Sequence, residues 1–203
     1  MKIDIYGAKG HAKVIVELLE EIKYKIINVY DDDLSITSLF NYSVIHEFTM
    51  SSNLIISIGD NEIRKKLVDK LKVENYPTLI HPKTSVSKRA KIEEGTVVMS
   101  GVSVNSEVNI GKHCIINTNA SIDHECIISD YVHISPNAAL AGNVEVGEGT
   151  HIGIGASVIQ GIKIGNWCTI GAGAVIIKDI PDGATVVGNP GKIIKMKDLG
   201  HSK

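Results

Sequence analysis

The sequence predicts an α/β front, a βαβαβ (Rossmann-like) unit over residues 1–78, joined to an all-β parallel β-helix over residues 79–203. Three observations carry this reading. From Ile80 to Ile176 an aliphatic residue falls on every sixth position, seventeen times in succession. Ahead of residue 78, strand-like apolar runs alternate with amphipathic helical ones across glycine turns, the pattern of a parallel sheet with crossover helices. Aromatic residues are only 4% of the chain while Val and Ile abound, which suits a core of stacked β-branched side chains.

Taken in order, residues 2–6 read as the first strand, Gly7-Ala8-Lys9-Gly10-His11 as its turn, and the chain to about Ile22 as an amphipathic helix. Residues 25–30 form a second strand ending in Asp31-Asp32-Asp33. Residues 53–58 form a third, and Gly59-Asp60-Asn61 opens a helix running to about Lys72. A glycine turn between strand and helix aims backbone N–H groups and a helix N-terminus at a bound phosphate. The first turn carries only Gly7 and Gly10 and lacks the third glycine of a dinucleotide fingerprint, which gives NAD little support. Two readings stand at this point: any βαβ unit needs a glycine in its first turn, or a phosphate-bearing ligand sits at the strand ends. Asp31 and Asp32 are placed to accept from a ribose hydroxyl or a base, or else are solvated turn acids.

In the repeat, a second small or β-branched residue stands two positions before each aliphatic one, as with Thr96, Val102, Ala120 and Ala138. Short strands alternate in and out, so both residues point inward. Each hexad must stack on its neighbours to bury that face. Cys114, Cys126 and Cys168 all fall on the inward small position and are expected to be buried small hydrophobes, not ligands or nucleophiles. Glycine often follows the aliphatic residue, as at Gly111, Gly147, Gly153, Gly165 and Gly171, where the turn is expected to need positive φ.

The repeat over residues 80–192, closed by Val187-Gly188-Asn189-Pro190-Gly191-Lys192, resembles the bacterial hexapeptide-repeat acyltransferases. In most members alanine follows that proline, where this chain has Gly191. The resemblance implies a left-handed β-helix with three hexads, eighteen residues, per triangular coil, hence five to six coils. The general rule for parallel crossovers points instead to a right-handed turn. With the GAKGHAKVIVELL and IISIGDNEIRKKL stretches of the front, nearly the whole chain is similar to a narrower group. That group is the acetyltransferases of nucleotide-linked amino sugars, UDP-4-amino-sugar N-acetyltransferases among them, together with the sialic-acid O-acetyltransferases. This resemblance implies acetyl-CoA as co-substrate and a three-fold assembly. It implies a front domain that holds the nucleotide sugar through Lys9, Gly10, His11, Asp31, Asp32 and Gly59. It makes His124 the catalytic base and Glu125 its carboxylate partner, gives His133 a contact with acetyl-CoA, and sets Ile154, Gly155 and Gly171 along the CoA path.

Read on their own, the residues leave His124 as either a solvated corner side chain or a functional one. Acetyl transfer to an amine needs a base, a donor for the oxyanion and partners held close, and histidine suits the base. With Ile122 and Cys126 inward, His124 and Glu125 lie on an outer corner, where Glu125, or Asp123 in its place, can orient the imidazole. Gly142 lies one coil above His124 and either leaves space for a thioester arm or is a simple corner. His133 projects outward from a strand face half a coil from His124. The two meet only if protomers pack side by side, which suggests an active site between protomers and fits the homotrimer that the resemblance implies. His151 stands directly above His133, roughly 4.8 Å away, and is read as a surface residue open to CoA. A stacked pair also suggests zinc, but the third ligand would have to come from a neighbouring chain. His113 is no natural partner for it, and no metal is expected. His46, His81 and His201 carry no motif.

A net charge of −2 without a basic stretch argues against nucleic acid. No apolar run approaches the ~18 residues of a membrane span. The N-terminus lacks signal-peptide features and three cysteines make no disulfide framework, so a cytoplasmic protein is expected. The expected activity is acetyl-CoA-dependent N-acetylation of a UDP-linked 4-amino-4,6-dideoxy sugar. Alternatives are O-acetylation of sialic acid or another sugar, a GDP-linked amino sugar, and, from other classes, a zinc β-helix enzyme like carbonic anhydrase or a non-catalytic binding module.

Overall fold

The computed structural model describes residues 1–200, so His201 and the end of the expected second domain lie outside the described residues. The front comprises β1 (Lys2–Tyr6), α1 (Gly10–Glu21), β2 (Lys25–Tyr30), β3 (Ser38–Leu39), β4 (Tyr42–Ile45), β5 (Leu54–Ile56) and α2 (Asn61–Leu71). Its sheet runs β3-β4-β2-β1-β5, parallel throughout except for the β3–β4 pair. Ala12, Ile15, Val16, Leu18 and Leu19 form the buried stripe of α1 and pack on Ile3, Ile5 and Val29 of the sheet. The β3–β4 hairpin stands where the sequence indicates no element. Asp60 caps α2, its carboxylate accepting from the Ile63 N–H at 2.9 Å. From α2 the chain does not return to the front sheet but runs into the β-helix.

Seventeen two-residue strands follow, from β6 (Leu79–Ile80) to β22 (Val175–Ile176), each ending on one of the hexad aliphatics. From β6 to β19 each strand pairs in parallel with the one eighteen residues on, as Ile115 with His133 and His133 with His151, and at the last coil the offset shortens to sixteen, Thr169 pairing with Thr185. The three faces of the left-handed prism hold six, five and six of these strands. β23 (Ala184–Val187) and β24 (Lys192–Met196) extend one face and end it with an antiparallel pair. The interior is one column of both expected inward sets, Val98 through Val186, and the three free cysteines lie within it. Burial drives the Cys114 thiol up to about 12, so it stays protonated and inert.

One expectation fails. Gly111, Gly147, Gly153, Gly165 and Gly171 do not adopt positive φ. The left-handed position recurs with the same six-residue period, but just before the inward small residue: Gly95, Gly101, Glu107, His113, Asn119, Glu125 and onward to Gly173. Glycine after the aliphatic residue answers a different need. At Gly147 a Cβ would lie 2.5 Å from the Gly165 carbonyl carbon of the next coil, so close stacking of coils excludes a side chain there.

The front domain sits on the outer surface of one face. Leu79, Val97, Met99 and Ile115 project from that face into the same core as α1. Arg64 locks the contact. It is 2% exposed, and its guanidinium donates to the carbonyls of Ile58 and Gly59, to those of His113 and Tyr131 in the β-helix, and to the Asn61 side chain. Asn61 in turn donates to Gly149 O at 2.9 Å. Burial lowers the Arg64 pKa to about 10, which leaves it charged at neutral pH.

Candidate active site

The candidate residues fall into three groups within one chain. Lys9, Gly10, His11, Asp31, Asp32 and Gly59 gather at the C-terminal ends of β1, β2 and β5, the edge at which open parallel sheets bind ligands. Here Asp31 has a structural duty: one carboxylate oxygen accepts from the Ala8 N–H at 2.7 Å and the other from the Asp33 N–H at 2.9 Å. Asp32 accepts from the Tyr6 hydroxyl at 2.6 Å. Burial, with Asp32 second, raises the Tyr6 pKa. Lys9 pairs with Asp33 at 2.9 Å on the rim.

The second group lies where this edge meets the β-helix. His133 and His151 stack with ring centroids 4.8 Å apart and planes 7° from parallel. His133 does project outward, but toward its own chain's front domain, close to Gly59, His11 and Arg64. Burial, and next the neighbouring His151, push His133 down to about 3, and burial with Arg64 pushes His11 down to about 4. Both are neutral at physiological pH, so neither is a cation there. Asn117 Nδ2 lies 3.1 Å from His133 Nε2, and Ser135 Oγ lies 2.7 Å from His151 Nε2. Sequence reasoning missed these two partners, although each stands sixteen residues before its histidine, directly after an inward isoleucine. Two buried side-chain nitrogens, His11 Nε2 and His133 Nδ1, have no hydrogen-bond partner among the described residues. Among those residues no group of three His, Cys, Asp or Glu side chains is placed to hold a metal ion.

The third group occupies a different corner. His124 and Glu125 are more than half exposed, and His124 Nδ1 lies 2.9 Å from Glu125 Oε2. Glu125 holds the left-handed position of its hexad at φ 61, which turns its side chain back onto the imidazole. With Nδ1 engaged by the carboxylate, Nε2 is left to accept a proton. A Cβ at Gly142 would stand 2.5 Å from His124 Cε1 and 2.6 Å from Nε2, so the missing side chain is what gives the ring its place. Gly142→Ala is expected to lower kcat about 10- to 100-fold by displacing the ring, with Tm essentially unchanged; full activity would show that the space is not needed. Ile154, Gly155 and Gly171 line the remaining corner, where Ile154 is exposed and nothing would meet a Cβ at Gly155.

His113 lies at another corner and is buried there. It stacks on Tyr131 at 5.3 Å and meets the Tyr76 edge at 4.7 Å. Burial pushes its pKa down to about 4. Its folded value lies below the unfolded value of about 6.5, so its stability contribution is whole above pH 6.5 and is lost as pH falls toward 4. The loss approaches ~1.4 kcal/mol per pH unit for each such histidine. Melting temperature should therefore drop between pH 7 and pH 5, and less so in His113→Phe. An identical drop in both proteins would contradict this assignment.

Comparison with known proteins matches this architecture. The family model of the PglD N-terminal domain matches residues 2–71, and that of the bacterial transferase hexapeptide (six repeats) matches residues 143–178. A histidine variant of perosamine N-acetyltransferase from Caulobacter crescentus, in complex with CoA and GDP-perosamine, has a TM-score of 0.92 and 35% identity over 96% of this chain and 97% of that one. The acetyltransferase domain of PglB from Neisseria gonorrhoeae FA1090 has a TM-score of 0.88 and 38% identity over 95% and 99% of the two chains. The curated UDP-N-acetylbacillosamine N-acetyltransferase of Bacillus subtilis (strain 168) is 40% identical over 116 residues, 48% of this chain. That alignment spans about half, 51%, of the length of the curated relative.

Proposed function

Since the chain belongs to the hexapeptide-repeat sugar acetyltransferases, we propose that it acetylates the 4-amino group of a UDP-linked 4-amino-4,6-dideoxy sugar with acetyl-CoA. The observation that carries the proposal is the His124–Glu125 pair at an open corner, its ring seated beside Gly142. Acetyl-CoA supplies the acyl group as a thioester when bound. His124 Nε2 takes the proton from the sugar nitrogen as the C–N bond forms, and Nδ1–H donates to Glu125, which favours the imidazolium so produced. His124 then returns that proton to the sulfur as the C–S bond breaks, so the products are the amide and free CoA.

The front domain is proposed to hold the nucleotide through Lys9, Gly10, His11, Asp31, Asp32 and Gly59. His133, Gly142, Ile154, Gly155 and Gly171 are proposed to receive acetyl-CoA. The unpartnered nitrogens of His11 and His133 support a polar ligand in that crevice, because burying them unmet costs free energy. In one chain the crevice and His124 stand on separated parts of the prism, which supports a homotrimer whose site is completed between subunits.

A GDP-linked amino sugar is the second reading, favoured by the GDP-perosamine bound in the Caulobacter structure. The test is thiol release from acetyl-CoA measured with UDP- and GDP-linked 4-amino sugars and with sialic acid. Release with a UDP-amino sugar alone supports the first reading. Release with sialic acid alone replaces it with O-acetylation.

A further inference from the structure

His124 has two acidic neighbours in its own segment, and Glu125 alone reaches the imidazole nitrogen. Asp123 is used differently. Its Oδ1 accepts from the backbone N–H of His124 at 2.8 Å and from Asn105 Nδ2, one coil below, at 2.7 Å. The segment thus enters the left-handed turn at Glu125 with its N–H already claimed, tied to the coil beneath. The other corners add backbone bonds only: Glu125 N–H donates to Ser106 O at 3.0 Å, and His124 O accepts from Asn143 N at 2.9 Å. Beside the ring stand Glu125 on its own corner and the Gly142 position above, while Ser106 below and Asn143 above join this corner through backbone bonds.

We propose that Asp123, held by Asn105, is a positioning residue for His124: it fixes the backbone that carries the base and presents a second carboxylate to the imidazolium formed during the reaction. The bonds from Asn105 and from the His124 N–H keep Asp123 ionised, lowering its pKa, as does a protonated His124. A charge at this place favours the proton on His124, whereas a neutral side chain of the same shape preserves only the hydrogen bonds. This inference rests on His124 being the base.

Asp123→Asn separates the two roles, because its amide oxygen still accepts both bonds. The acid limb of the pH profile of kcat/KM should move to lower pH by about half a unit, the effect of one charge several ångströms away near the surface. KM for acetyl-CoA should stay within about twofold. Asp123→Ala and Asn105→Ala lose the tether, and kcat should fall about tenfold with KM unchanged. A purely structural role would lower the amount of folded protein without moving the pH limb. Should His124→Ala be inactive while Asp123→Asn keeps the wild-type profile and both alanine variants keep wild-type kcat, this inference is overturned and the assignment of the base survives. Wild-type activity in His124→Ala would overturn both.

Discussion

Replacing His124 with alanine is expected to reduce kcat by about 10²- to 10⁴-fold, the range supplied by a positioned general base. The folded protein should be unaffected. The side chain is more than half exposed, its only side-chain partner among the described residues is the exposed Glu125, and the backbone bonds of the corner do not involve the ring. Tm within about 2 °C of wild type would confirm that stability is kept, since a 1 kcal/mol change shifts a chain of this size by ~2–4 °C. Glu125→Gln should fall between the two, because the amide can still accept from Nδ1 but no longer carries the charge that favours the imidazolium. If His124→Ala turned over at the wild-type rate, the base would have to be sought elsewhere. His133 is a poor substitute, held neutral by burial and already bonded to Asn117 at Nε2.

Arg64→Met should have the largest effect on stability, about 2–4 kcal/mol. Methionine fills similar volume but leaves the carbonyls of His113, Tyr131, Ile58 and Gly59, and the Asn61 oxygen, without their donor. Part of the loss is offset because no buried charge then has to be desolvated. Other polar links between the domains include the Asn61 bonds and the surface contacts of Lys65 with Glu148, Lys197 with Glu62, and His81 and Lys83 with Glu21. Surface pairs of this kind contribute ~1 kcal/mol or less. Faster hydrogen exchange around residues 58–64, with the β-helix strands still protected, would locate the damage at the docked face. Unchanged exchange and a loss under ~1 kcal/mol would show that Arg64 is not the latch.

The β-helix was legible because stacking enforces a strict period. Each coil sits on the last in fixed register, so Ile80 through Ile176 name the strands one by one and assign Cys114, Cys126 and Cys168 to the interior. The same register foretold the His133–His151 stack and set Gly142 beside His124. The αL position was missed because only some of its occupants are glycine; Glu107, His113, Tyr131 and Trp167 give no local sign of positive φ. The β3–β4 hairpin escaped notice since its strands are short and Phe40-Asn41 is not a recognisable two-residue turn. Above all, docking of the front domain was invisible. Arg64 stands in an Arg-Lys-Lys run on a polar helix and reads as solvated, yet it is the buried centre of the interface. That interface explains why His133 faces its own front domain and His124 does not.

The central claim is that His124 serves acetyl transfer onto the nitrogen of a nucleotide-linked amino sugar. Mass analysis of the sugar nucleotide after incubation with acetyl-CoA and the full-length protein tests it most directly. The account predicts a single acetyl group on the 4-amino nitrogen, formed in step with free CoA and absent with His124→Ala. Acetylation on a sugar hydroxyl, or unaltered 4-amino-sugar nucleotides of both the UDP and GDP series, would contradict it.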